Sequence, residues 1–221
     1  MFIPLRDENP TSRFPLVTTL LIAANAAVFL ANAVVPHGLE MAAVRFGAVP
    51  FEITHFRSLD EALRFPPLLT LLTSMFFHGS FFHLAGNMLY LWIFGNNVED
   101  YLGWFRFSLF YVLCGLAAAL TQVAATPNSK VPMIGASGAI AGLLGAYWLL
   151  FPRARVMTFV FLIIYIDVVA VPAGVFLGLW FLMQVLNIGL GVGVAWFAHI
   201  GGFLAGLALV RGLGGRRLRR A

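Results

Sequence analysis

Twenty consecutive positions, Leu16 to Val35, carry no charged residue. The same is true of the 27 positions from Leu68 to Phe94 and the 18 from Ile134 to Phe151. A helix needs about 20 apolar residues to cross the hydrocarbon of a bilayer, with a working range of about 17 to 25. Inside lipid every backbone N–H and C=O must be bonded within the protein, so only helices and closed barrels can span. Barrel strands alternate apolar with polar side chains, and these runs do not, which leaves helices. Charged residues make up 10% of the chain, against about a quarter in an average soluble domain, too few to cover a water-exposed surface. The expected fold class is an all-α polytopic membrane protein.

Six spans are expected. The first covers Leu16 to Val35, and the mixed segment Pro36 to Pro67 then forms an outer loop with some amphipathic helix. "FHGSFFH" interrupts Leu68–Phe94, dividing it into a short membrane-dipping piece and a second span from about Phe81. Phe105–Ala125 and Ile134–Phe151 are the third and fourth spans. "AGVFLGLWFLMQVLNIG" after Pro172 is the fifth, and Val194–Val210 the sixth. Residues 156–171, short and β-branched with Asp167 inside, are expected to form a re-entrant segment that does not cross. The domain plan is an N-terminal cytoplasmic tail (1–15), a membrane domain (16–210, outer loop about 36–80) and a basic cytoplasmic tail (211–221). The first apolar run has no small-residue cleavage site, so it reads as a span and not as a signal peptide.

Lys and Arg set the orientation. With both termini cytoplasmic, ten fall inside (Arg6, Arg13, Arg106, Arg153, Arg155, Arg211, Arg216, Arg217, Arg219, Arg220) and four outside (Arg45, Arg57, Arg64, Lys130). That is the positive-inside bias, and it accounts for the net charge of +5 without nucleic acid. Crossing by 156–171 would put the tail outside and invert the bias. The single Cys114 excludes an intramolecular disulfide.

Polar groups at membrane depth are functional hypotheses by default. Three clusters stand out: "HGSFFHLAGN" with His78, His83 and Asn87, "GASG" with Ser137, and "AHIGG" with His199. In the six-span arrangement the second, fourth and sixth spans run in the same direction. His83, Ser137 and His199 lie near their starts, at similar depth in the outer half. Asn87 follows His83 by four positions, on the same helical face. A serine and a histidine with amide and imidazole donors nearby are the makeup of an acyl-transfer site. Taken alone, Ser137, directly before "GAIAGLLG", reads more readily as part of a small-residue helix contact than as a nucleophile. Gly138, Gly142, Gly202 and Gly206 fit that packing role and would bring the fourth and sixth spans together.

"HLAGN", "GASG" and "AHIGG", in that order on alternate spans, resemble the rhomboid intramembrane serine proteases. "GNNVEDYLG" (Gly95–Gly103), Gly202/Gly206 and the opening "IPLRDENPTSRFP" add to the likeness, the last to bacterial members with short tails. The resemblance implies a six-transmembrane-helix bundle and a Ser–His dyad, with Ser137 as nucleophile and His199 as general base. His83 and Asn87 would surround the oxyanion together with the backbone N–H of Ser137. Gly135, Gly138, His78, Gly202 and Gly206 would support the site structurally. The implied partners are single-span transmembrane substrates in the lipid bilayer of a bacterial cell (inner) membrane, with no metal, cofactor or nucleic acid.

A catalytically inactive rhomboid-like protein that binds membrane clients is the alternative, although such relatives lack the serine or histidine that this chain has. "H-E-x-x-H" is absent, no pair of membrane aspartates occurs, and no inverted repeat suggests a transporter. Glu99 and Arg106 read as structural, at the cytoplasmic turn. Trp104, Trp148 and Trp196 read as interfacial anchors, and Asp167 is expected at the cytoplasmic surface on the re-entrant segment, with no catalytic role assigned to it.

Overall fold

The computed structural model describes residues 2–60, 62, 65–162, 165–190 and 193–214. Arg64 and the basic residues beyond 214, used above for orientation, lie outside that set. Strand β1 (Phe2–Asp7) leads into helix α1 (Leu16–Ala33), and α2 (Gly38–Phe46) and α3 (Pro50–His55) lie in the mixed loop. Helix α4 (Pro67–Thr73) and a 3-10 turn at Ser74–Phe76 precede α5 (Phe81–Leu102), with a bend of 79° between the two parts. Ser80 ends the bend by accepting the N–H of His83 on its hydroxyl, an N-cap for α5.

α6 (Trp104–Ala125) and α7 (Ser137–Leu150) follow, then strands β2 (Arg155–Leu162) and β3 (Tyr165–Pro172), and last α8 (Ala173–Leu186) and α9 (Trp196–Gly212). Among the described residues two helices, α1 and α6, are long and apolar enough to cross a membrane, or three if the bent α4–α5 pair is taken as one span. α7, α8 and α9 are shorter apolar helices.

α7 sits at the centre, buried without interruption from Ala139 to Tyr147. Its core partners are Leu91 and Phe94 of α5, Phe107, Phe110, Tyr111 and Cys114 of α6, and Phe203 of α9. Leucines on the outer helices, such as Leu20, Leu30, Leu120, Leu179 and Leu182, are exposed. Apolar side chains facing outward around a packed apolar interior are what a lipid solvent permits. The chain is an integral membrane protein.

The fold is mostly helical but not all-α, which corrects the expected class. β2 and β3 pair antiparallel, and β1 adds to them to give a three-stranded sheet in the order β1-β2-β3. Phe2 lies opposite Val160 and Asp7 opposite Val156. Val156, Thr158 and Val160 are buried, while Arg155 and Phe161 are exposed and Met157 and Phe159 half-buried. That period of two with β-branched residues on the inner face favours a strand over a helix. Asp167 lies exposed on β3.

Glu99 does not hold the α5–α6 turn as expected from sequence. It is 4% exposed and reaches to α1, accepting the N–H groups of Val17 and Thr18 at 2.8 Å each and the Thr18 hydroxyl at 2.7 Å. Those are first-turn donors with no intrahelical acceptor, and a carboxylate there also complements the helix dipole.

Candidate active site

Ser137 is the first residue of α7, so the turn before it decides where its hydroxyl lies. Gly135 in that turn has φ +120°, a conformation that L side chains rarely adopt, and its N–H donates to the carbonyl of Ser74 at 2.8 Å. A Cβ at 135 would stand 2.7 Å from Nε2 of His83 and 3.7 Å from Nδ2 of Asn87. Only glycine lets the backbone beside Ser137 approach both side chains so closely.

His199 comes from the first turn of α9. The approach of α9 to α7 depends on paired glycines. A Cβ on Gly202 would meet the carbonyl oxygen of Gly138, and one on Gly206 that of Gly142. With the two backbones in contact, Nε2 of His199 lies 2.9 Å from Oγ of Ser137. Serine and imidazole from helices 62 residues apart therefore share a hydrogen bond.

Asn87 is 7% exposed, and its amide nitrogen has no hydrogen-bond partner among the described residues. A buried donor left unpaired is costly and calls for an explanation. His83 packs edge-on against His78, ring centroids 5.0 Å apart, and His78 Nε2 receives the N–H of Ala136 at 3.5 Å. His78 thus reaches the turn before Ser137. A cavity of about 660 Å³ opens over the pair, lined by His83, Gln122, Ile134, Ser137 and His199 among others. Among the described residues no group of three or more His, Cys, Asp or Glu side chains could hold a metal ion.

Two glutamines outside the three motifs also belong to the site. Gln122 of α6 accepts the N–H of Ala198 at 3.2 Å, next to His199, and Gln184 of α8 contacts Nδ1 of His199 at 2.8 Å. Each is a polar residue in an apolar run, a signal readable in sequence. Trp196 stands with its ring 6.2 Å from that of His199 at 90°, beside the site as well as near the helix end.

The family profile described as Rhomboid domain matches residues 66–216, which takes in every residue named above as part of this site. The chain belongs to the rhomboid family. Rhomboid protein 1, mitochondrial, of Saccharomyces cerevisiae is 32% identical over 148 residues, covering 63% of this chain and 40% of its own length. Presenilin-associated rhomboid-like protein, mitochondrial, of Mus musculus is 32% identical over 206 residues, covering 90% of this chain and 49% of its own. RHOMBOID-like protein 5 of Arabidopsis thaliana is 31% identical over 148 residues, covering 63% and 42%. This rhomboid chain spans half or less of the length of those relatives.

Proposed function

We propose that this chain is an intramembrane serine endopeptidase that cleaves single-span transmembrane proteins near the outer membrane face. The observation that carries the reading is the 2.9 Å hydrogen bond between Ser137 Oγ and His199 Nε2 at the floor of the cavity. In the proposed reaction His199 removes the Ser137 proton as Oγ attacks the scissile carbonyl. The oxygen that becomes negative is met by the Asn87 amide and the Ser137 N–H at the positive end of α7, with His83 beside them. His199 then gives its proton to the leaving amine, and water admitted through the cavity hydrolyses the acyl-enzyme by the same route.

Six crossings with both termini cytoplasmic fit this reading. β1 precedes α1 and β2 follows α7, so their pairing requires an even number of crossings between them. α1, α5, α6 and α7 supply four, and α8 and α9 bring the total to six. The Lys/Arg bias assigns the sheet to the cytoplasm, of a bacterial cell in our reading. At 1.5 Å per residue the 14-residue α7 reaches about 21 Å of a hydrocarbon layer about 30 Å thick. Ser137 would then lie below the outer surface, within reach of water through the cavity.

The test is cleavage of a single-span reporter by the purified protein in lipid. Ser137→Ala and His199→Ala are expected to abolish cleavage while remaining folded, and a fluorophosphonate probe should label Ser137 only when His199 is present. Cleavage that survives Ser137→Ala would sink the proposal. An unlabelled Ser137 in a chain that still captures the reporter would mark a client-binding member without chemistry.

A further inference from the structure

We propose that Gln184 is a positioning residue for His199. It holds the imidazole in the tautomer that carries its proton on Nδ1 and presents the Nε2 lone pair to Ser137. This rests on the dyad reading above and adds a third member to it, drawn from a different helix.

α8 reads AGVFLGLWFLMQVL, and the side chains around Gln184 are apolar and outward: Leu182, Met183, Val185 and Leu186 are all exposed. Gln184 is the reverse, polar and 7% exposed. An amide turned away from solvent at membrane depth is unfavourable unless both its ends are bonded. Here both ends have partners. Nε2 donates to the carbonyl of Trp180 at 3.1 Å, and Oε1 lies 2.8 Å from Nδ1 of His199.

Those two contacts fix the direction of every proton in the chain. The Trp180 carbonyl can only accept, so the NH₂ end of Gln184 must face it. A flipped amide would set oxygen against oxygen there. Oε1 therefore faces the imidazole, and since it too can only accept, Nδ1 must be the protonated nitrogen. In a neutral imidazole the other nitrogen is then the acceptor. That nitrogen is Nε2, at 2.9 Å from Ser137 Oγ. The rings of Trp180 (6.0 Å, 40°) and Trp196 (6.2 Å, 90°) flank His199 and limit rotation that would exchange its nitrogens.

When Ser137 attacks, its Oγ–H proton moves to Nε2 and the Nδ1–H bond to Gln184 stays intact. The imidazolium formed keeps a carbonyl dipole aimed at it. A neutral amide does this without the desolvation cost of a carboxylate buried in the membrane. Among the described residues, His83 of α5 is the titratable side chain that bears electrostatically on His199.

The experiment compares full-length wild type, Gln184→Met and Gln184→Glu in lipid against a single-span reporter, with ¹⁵N-histidine spectra of each. Methionine keeps the length and removes both hydrogen bonds. We expect kcat to fall on the order of tenfold or more, the worth of about one hydrogen bond, with KM little changed. The spectra should show a single Nδ1–H tautomer for His199 in wild type and a mixture in Gln184→Met. Glutamate restores the acceptor, so Gln184→Glu should recover most of kcat, with the acid limb of the pH–rate profile moved to higher pH.

A full-speed Gln184→Met would overturn the proposal. So would a Gln184→Glu as slow as the methionine variant with an unmoved acid limb, which is what a packing role predicts. If Gln184→Met does not fold, the wild-type spectrum decides: an Nε2–H tautomer refutes the assignment, and Nδ1–H together with an active Gln184→Glu sustains it. Ser137→Ala and His199→Ala run alongside. Cleavage by either removes the dyad itself, whereas two inactive controls beside a full-speed Gln184→Met remove only the role of Gln184.

Discussion

Gly206 of α9 lies against the carbonyl of Gly142 of α7 so closely that a Cβ at 206 would collide with that oxygen. The obstacle is backbone, which cannot rotate away as a side chain can. Gly206→Ala is therefore expected to push α9 from α7 and to lengthen the bond between His199 and Ser137. Overpacking of this kind costs ~1–3 kcal/mol, and misplacing a reacting pair by about 1 Å costs about 10²-fold in rate. Thermal unfolding and reporter cleavage, measured on the same preparation, check both. A variant with normal activity would show that the approach at 206 does not set the dyad distance.

Glu99 offers a second prediction, at the end of α5 far from His83. It satisfies two backbone donors and a hydroxyl at the start of α1, a helix whose N-cap residue, Pro15, makes no side-chain cap. Glu99→Ala leaves all three donors without that acceptor. Losing a hydrogen-bonded charged partner at a buried site typically costs about 1.5–3 kcal/mol. The expected signs are a lower unfolding temperature and faster proteolysis between α1 and α2, with kcat per folded molecule little changed. Glu99→Gln keeps one acceptor and should lie between.

How much of this could be read from the sequence differs from element to element. Apolar runs located the helices because lipid makes a long uncharged stretch unambiguous. The segment 156–171 was expected not to cross, from charge and parity, yet its strands were not predicted. Val156, Thr158 and Val160 alternate over too few residues to separate from an irregular loop. β1 was invisible for another reason: its partner lies about 150 positions away, and no local pattern in FIPLRD announces that pairing. Ser137, His199, His83, Asn87 and Gly135 were readable as a set because their motifs follow in order on alternate helices; Ser137, His199 and His83 line one cavity, and Gly135 lies beside His83 and Asn87. Gln184 was not, because it belongs to none of those motifs.

The sheet supplies a pH prediction. Burial raises the Asp7 carboxyl above its ordinary value, only partly offset by the Tyr147 hydroxyl (2.6 Å) and the Asn97 amide (2.7 Å) donating to Oδ2. A folded-state pKa above the unfolded value means a contribution that is fully present below the unfolded pKa and lost as pH rises through the folded one. At neutral pH the ionised Asp7 is therefore a net cost to folding. Asp7→Asn keeps an acceptor for both donors and removes the charge. It should melt above wild type at neutral pH, and the gap should narrow as pH falls toward the ordinary carboxylate range. A gap that does not change with pH would refute the account.

Asn87 gives the sharpest separation of function from stability. Its buried amide nitrogen lacks a partner among the described residues, so in the resting protein it is a liability to the fold. If that donor is reserved for the oxyanion, Asn87→Ala should lower kcat by about 10²–10³, the usual effect of deleting one such donor. The same change removes an unsatisfied polar group, so the unfolding temperature should hold or rise, as is common where a site is kept at the expense of stability. A residue with only a packing role predicts the opposite pair, a less stable protein with kcat nearly intact. Reporter kinetics and thermal unfolding of this one variant, beside Ser137→Ala as the inactive reference, distinguish the two directly.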